Sequence, residues 1–194
     1  MFHVLNIGFG STNYYAVSDK GKYLLIDAGM PGTLGVMMSR LRKFGIVPQD
    51  IRHLLVTHFH PDHCGIAQEL QSLGVELIIS GTQRKFLDSA NASLKKKFDK
   101  FVEMVVKPQN IINEDDPSAF MKKLGFPGYL LHTPGHSDDS ISIVVEGAGV
   151  FTGDLPLSGR MNMEVNEKVQ TSWSRLRSTN EKKVFPGHGP SMTL

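Results

Sequence analysis

The chain has 194 residues, of which 40% are hydrophobic and 21% charged, and its formal net charge is +2. That length suits one domain with a core large enough to need no covalent staples, and the composition excludes a disordered or fibrous chain. So small a charge gives no footing for nucleic acid or an anionic surface, and no run approaches the roughly 20 apolar residues that span a bilayer.

The first strands read as 3–8 (HVLNIG), 14–19 (YYAVSD) and 23–29 (YLLIDAG), with a turn near Asp19–Gly21 joining a hairpin. Pro31 and Gly32 punctuate, residues 33–44 have helical spacing, and Gly45 is a stop. HLLVTH (53–58) is a strand. A helix follows from Pro61, with proline in its first turn, to about Leu73, and Gly74 ends it. VELIIS (75–80) completes a strand–helix–strand unit.

Residues 82–107 read as helical and carry Lys95, Lys96 and Lys97. The plain reading of that run is a solvated face, and the sharper one is a cap that touches an acidic substrate. Strands return in 128–135 (GYLLHTPG), 140–146 (SISIVVE) and 149–154 (GVFTGD), a last helix is predicted over 164–178, and KVFPGHG (183–189) is a last strand and loop. This order suggests one domain over 1–194, with two packed sheets and helices outside, an α/β layered sandwich. The single cysteine, Cys64, excludes an intrachain disulfide. With no basic n-region and apolar run at the start, a cytoplasmic protein is expected.

The segment Thr57-His58-Phe59-His60-Pro61-Asp62-His63-Cys64 spells H-x-H-x-D-H just after an apolar strand. His58 and His60, two apart on an extended exit, can point the same way, and Asp62 and His63 can face them from the turn that opens the helix. Four such donors within six residues suit zinc or a similar first-row ion, iron or manganese included. Three more candidates follow, each in a glycine-rich turn after a strand: His136 in TPGH, Asp154 in TGD and His188 in PGHG. Such turns let backbone come close and aim side chains into one cleft.

These motifs, in this order and spacing, are similar to those of the metallo-β-lactamase-fold hydrolase superfamily over essentially the whole chain. The resemblance implies a four-layer αββα sandwich with the metals at one edge, between the sheets. It implies that His58, His60 and His136 hold a first metal ion, that Asp62, His63 and His188 hold a second, and that Asp154 bridges them. Asp27, in LIDAG, matches a family aspartate and reads as support for the metal loops. His3, His53 and His132 read as ordinary residues, and Cys64 as a small packed one.

The expected chemistry is hydrolysis of a small ester, thioester or lactone by a metal-bound hydroxide, because two divalent ions can share one hydroxide at neutral pH. Asp62 is the catalytic carboxylate that orients the hydroxide or takes its proton. The His63–Asp154–His188 set resembles glyoxalase II, the acyl-homoserine lactonases and tRNase Z. The chain ends six residues after His188, so a glyoxalase-type glutathione domain and glutathione thioester specificity are not expected. No long basic insertion suggests an RNA arm. The alternatives are an iron-dependent oxygenase of the persulfide dioxygenase type, with one iron on part of this set, a phosphodiesterase or nuclease, and a non-catalytic binding module. Asp138 and Asp139 read either as solvated turn carboxylates or as hydrogen-bond partners of His136. The pocket walls are expected from Met30–Thr33, residues 82–107 and Ser158–Met163.

Overall fold

The computed structural model describes residues 2–112, 116–157 and 167–194. Eleven strands form two sheets among these residues. The first sheet runs in chain order from β1 (His3–Asn6) through β2 (Tyr15–Asp19), β3 (Lys22–Ile26), β4 (Ile51–Leu55) and β5 (Glu76–Ser80) to β6 (Ile111–Ile112). The second has the order β11 (Met192–Thr193), β10 (Lys183–Pro186), β9 (Gly149–Gly153), β8 (Ile141–Val145) and β7 (Gly128–His132). The helices are α1 (Leu34–Lys43), α2 (Pro61–Cys64), α3 (Ala67–Ser72), α4 (Gly81–Arg84), α5 (Leu87–Lys97), α6 (Pro117–Lys123) and α7 (Glu167–Arg177).

The layering follows from the period of two along the strands. On β3, Leu24 and Ile26 face β8 and its neighbours, joining Ile141, Ile143, Val145 and Phe151 in a core between the sheets. Leu25 points the other way, into a cluster with Met37 and Leu41 of α1, Leu70 of α3, and Leu87 and Leu94 of α5. On the second sheet Val144, Val150 and Val184 face Val169, Trp173 and Leu176 of α7. Both faces of each central strand are therefore apolar, and each fully buried side chain contributes about 1.5–3 kcal/mol. The αββα sandwich predicted from the sequence is the architecture found.

The two sheets repeat one connectivity. β2 and β3 are antiparallel, and α1 leads to β4, which is parallel to β3. β8 and β9 are antiparallel, and α7 leads to β10, which is parallel to β9. In both halves the parallel strands finish at one edge of the sandwich, where the chain turns carry polar residues. Backbone bonds join the halves there: Ile141 N–H donates to Thr57 O at 2.9 Å, and Asn13 N–H to Gly187 O at 2.7 Å.

Two expectations are corrected. The helix predicted over 61–73 is two short helices, α2 and α3, parted at Gly65 and Ile66. Ala28 takes the backbone groups that would continue it, donating to His63 O at 2.8 Å and accepting from Ile66 N–H. The helix predicted over 82–107 is α4 and α5, and it ends at Lys97. Beyond it the Asn91 amide bonds both the N–H and the carbonyl of Met104, each at 2.9 Å, and so holds an irregular segment against α5. Helix α6, strands β6 and β11 and two short 3-10 turns had no counterpart in the sequence reading. The last helix is described from Glu167, and residues 164–166 and the Ser158–Met163 wall lie outside the described residues.

Candidate metal centre

Five of the seven candidate side chains lie just past the end of a strand or in a turn between strands, and Asp62 and His63 lie in the short helix α2. After β4 the chain runs through Val56 and Thr57 to His58, and then bends at Pro61 into α2. The Thr57 N–H and hydroxyl both donate to Asp27, at 2.7 Å and 2.9–3.1 Å. Asp27 follows β3 with φ 65°, a left-handed conformation that aspartate tolerates better than most residues. Its Oδ2, one of the two oxygens the Thr57 hydroxyl reaches, also accepts from His63 Nδ1 at 2.8 Å. One buried carboxylate thus ties the start of the motif to its end and turns the His63 Nε2 toward the cleft.

The second half supplies the other side. Asp154 follows β9 and His188 follows β10, bracketed by glycines. At Gly153, φ is 54° and a Cβ would sit 2.5 Å from Thr57 Oγ1. At Gly187 a Cβ would lie 2.3 Å from Asp154 Oδ1 and 2.7 Å from His63 Cε1. Only a residue without a side chain lets these turns close on the cluster. His188 Nδ1–H donates to Ser11 O at 2.7 Å, and the Asn13 amide donates to Pro186 O and Gly189 O on either side of it.

The seven predicted side chains come together as two adjoining sets: His58, His60, His136 and Asp154, and Asp62, His63 and His188. Within each set one donor atom per residue lies within 4.8 Å of all the others. Asp154 touches both sets. Its Oδ1 is 3.3 Å from His63 Nε2, and its Oδ2 is 3.2 Å from His188, 3.5 Å from His136 and 3.9 Å from His58. Asp62 Oδ2 lies 3.4 Å from His63 Nε2 and 3.3 Å from His188 Nε2. His60 Nδ1 and His136 Nε2 are 2.9 Å apart. His58 and His63 are buried at the floor, Asp62 and Asp154 are half-buried, and His60, His136 and His188 are exposed at the rim.

This arrangement fits metal ions. A tetrahedral site with bonds of about 2.0–2.1 Å places its ligand atoms about 3.4 Å apart, close to the 3.2–3.4 Å spacings around Asp62, His63, His188 and Asp154. The buried His58 Nε2, His63 Nε2 and Asp154 Oδ1 have no hydrogen-bond partner. Buried polar atoms are otherwise nearly always paired, so three orphans pointing into one cleft mark a place for a ligand. Nitrogen and carboxylate donors together are those that zinc and similar ions take.

Electrostatics in the metal-free chain follow from the same crowding. Burial, aided by the neighbouring His63, His60 and His136 rings, holds the His58 pKa well below its ordinary value, so it stays neutral. Burial opposes charge on His63 too, but Asp27, Asp154 and Asp62 outweigh it and push its pKa up to about 12. Burial raises Asp62, and the facing His63 together with the hydrogen bond from Thr12 outweighs that and holds it well below the usual carboxylate range. A proton on His63 therefore balances carboxylates that a cation at the same place would balance instead.

Of the two readings of Asp138 and Asp139, the one in which they bond His136 is not found among the described residues. Asp139 accepts from Phe59 N–H at 2.7 Å and so anchors the strand exit between His58 and His60, while Asp138 Oδ1 accepts from Lys168 at 2.8 Å. Lys95 pairs with Glu103. Cys64 is buried in the outer core, as a small packed residue. The sequence reading missed Thr12, whose hydroxyl donates to Asp62 Oδ2 at 3.0 Å, together with Thr57, Ser11 and Asn13. Ser11–Asn13 falls between the first two predicted strands, and only the pairing of Thr12 with His188 brings it to the centre.

Residues 7–188 match the family model of the metallo-beta-lactamase superfamily. A protein of Methanocaldococcus jannaschii named probable metallo-hydrolase is 31% identical, across 94% of this chain and 90% of its own. The hydroxyacylglutathione hydrolase GloC of Haemophilus influenzae is 29% identical, across 91% of this chain and 84% of its own. The chain spans about half the length of some other curated relatives. Among solved structures, the metallo-beta-lactamase MIM-1 of Novosphingobium pentaromativorans superposes with a TM-score of 0.72 at 19% identity, over 95% of this chain and 73% of that one.

Proposed function

The chain belongs to the metallo-beta-lactamase superfamily and is a metallo-hydrolase, and on that premise we propose that it cleaves a small ester, thioester or lactone at a pair of divalent ions. The observation that carries this reading is the position of Asp154. One oxygen faces His63, and the other faces His188 and His136, so a single carboxylate lies between both sets of donors. His58, His60 and His136 would hold one ion, and Asp62, His63 and His188 the other, with Asp154 shared. Zinc suits this mixture of imidazole and carboxylate.

Bound there, the ions would acidify a water toward about neutral pH and polarise an acyl oxygen. The rest falls to the chain itself. Asp27, Thr57 and Ser11 fix the imidazoles through the nitrogens and backbone that face away from the cleft, so little reorganisation is needed. Asp62, half-buried and kept ionised, is the group placed to orient a water and to receive its proton. The buried floor at His58 and His63 keeps bulk water from one side. A thiolate or an activated alkoxide leaves without strong acid assistance, which matches the absence of a further acid in the predicted set. The printed name of the Haemophilus relative, a hydrolase of an acyl compound, supports acyl rather than phosphoryl chemistry.

The test is metal analysis of the purified protein followed by a substrate panel of acyl thioesters, lactones and bis(p-nitrophenyl) phosphate. The proposal expects two zinc ions per chain and turnover of a thioester, ester or lactone. One iron per chain with oxygen consumption, or cleavage of the phosphodiester alone, would replace it.

A further inference from the structure

Beside the candidate centre lies a cavity of about 390 Å³, within the range of about 300–1,000 Å³ usual for small-molecule sites. Its lining combines two kinds of chemistry. The polar part of its lining is His136, Asp154 and His188, and the apolar part is Leu155, Pro156, Leu157 and Pro186. Among the described residues that line it, the only ionisable side chains are those three members of the metal cluster.

We infer that this wall receives the apolar acyl chain of the substrate, with the acyl carbonyl at the cluster and an aliphatic tail along Leu155–Leu157. The inference rests on the acyl-hydrolysis reading for which end carries the carbonyl. A charged or strongly polar group on the apolar wall would lose its hydration with nothing to replace it. The common thiol leaving groups are polar, so the apolar wall fits the acyl side of the scissile bond and not the leaving side.

The wall is also built to stay in place. Trp173 Nε1–H donates to Pro156 O at 2.7 Å, and Leu155, 4% exposed, packs with Val169 and Trp173 of α7. On the facing side, Pro186 O accepts from the Tyr15 hydroxyl at 2.7 Å and from the Asn13 amide at 2.9 Å. Two proline rings and two leucines held by such bonds lose little freedom when a ligand arrives, so apolar burial appears as affinity.

The experiment uses the whole metal-loaded protein and straight-chain carboxylates from propanoate to octanoate, measured by calorimetry and by Trp173 emission. Trp173 is the only tryptophan of the chain, so its emission reports on this wall. The affinity should rise about three- to fourfold per added methylene, with a parallel change in emission. Leu157→Asp should lose the increments, and Leu157→Ala, the milder change, should keep part of them. Affinity independent of chain length, increments that survive Leu157→Asp in a protein with an unchanged melting curve, or binding that leaves Trp173 emission unmoved would each overturn the inference. Because binding is read directly, a protein that failed every hydrolysis assay would refute the proposed reaction and leave this result to stand or fall separately.

Discussion

His63 Nδ1 lies 2.8 Å from Asp27 Oδ2, and both side chains are buried. The other ring nitrogen of His63 faces Asp154, which follows β9 as Asp27 follows β3. One imidazole thus sits between equivalent positions of the two halves of the fold. Asp27 organises the cleft from behind and Asp154 from within it.

That relationship makes Asp27 a sensitive position. Asp27→Asn keeps a residue that tolerates φ 65° but removes the charge that orients His63 and accepts from Thr57. Zinc affinity, read by competition with a chromophoric chelator, should fall about 10–100-fold, the usual effect of losing such a partner. Asp27→Ala should also lower the melting temperature, because the backbone conformation itself costs about 1–3 kcal/mol for an ordinary residue.

Gly187→Ala tests the closeness of the two halves. The new methyl would overlap Asp154 Oδ1 and His63 Cε1, so the carboxylate between the two donor sets must move. Metal content per chain should drop, and turnover with it, while the circular dichroism spectrum stays that of the parent. Full metal content in this variant would contradict the placement of Asp154.

Thr12→Val removes one hydroxyl and keeps the shape. Its loss leaves Asp62 Oδ2 without the 3.0 Å bond that holds it beside His188. The expected cost is about 1 kcal/mol of folding stability by denaturant titration, with a several-fold weaker hold on the second of two zinc ions. An unchanged second dissociation constant would show that Thr12 does not position Asp62.

Stripping the protein of metal should loosen the edge of the sandwich and leave the three apolar clusters folded. The metal-loaded form should melt higher, by an amount that grows with free zinc as mass action requires. A melting curve indifferent to added zinc would count against a folded-state site at His58 and His63.

The sequence reveals much of this arrangement because the donors are dense and local. His58, His60, Asp62 and His63 fall within six residues, and His136, Asp154 and His188 each sit in a glycine turn after a strand. The strands are legible for a related reason, since β8 and the ends of β3 and β4 are buried on both faces and read as short apolar runs. What stays hidden is set by contacts distant in the chain. Thr12 meets Asp62 across 50 residues, Ser11 meets His188 across 177, and Asp139 meets Phe59 across 80. No local pattern announces these. The helices fail for the same reason. Ala28 captures the backbone on either side of Gly65, and the Asn91 amide fixes Met104, in stretches where the sequence carries no proline to stop a helix.

Elemental analysis of the parent protein beside Asp154→Ala tests the central claim most directly. If Asp154 lies between two ions, the parent carries two zinc ions per chain and the variant loses most of both, with turnover abolished. A parent that carries a single iron, or a variant that keeps two zinc ions and full activity, would contradict the account.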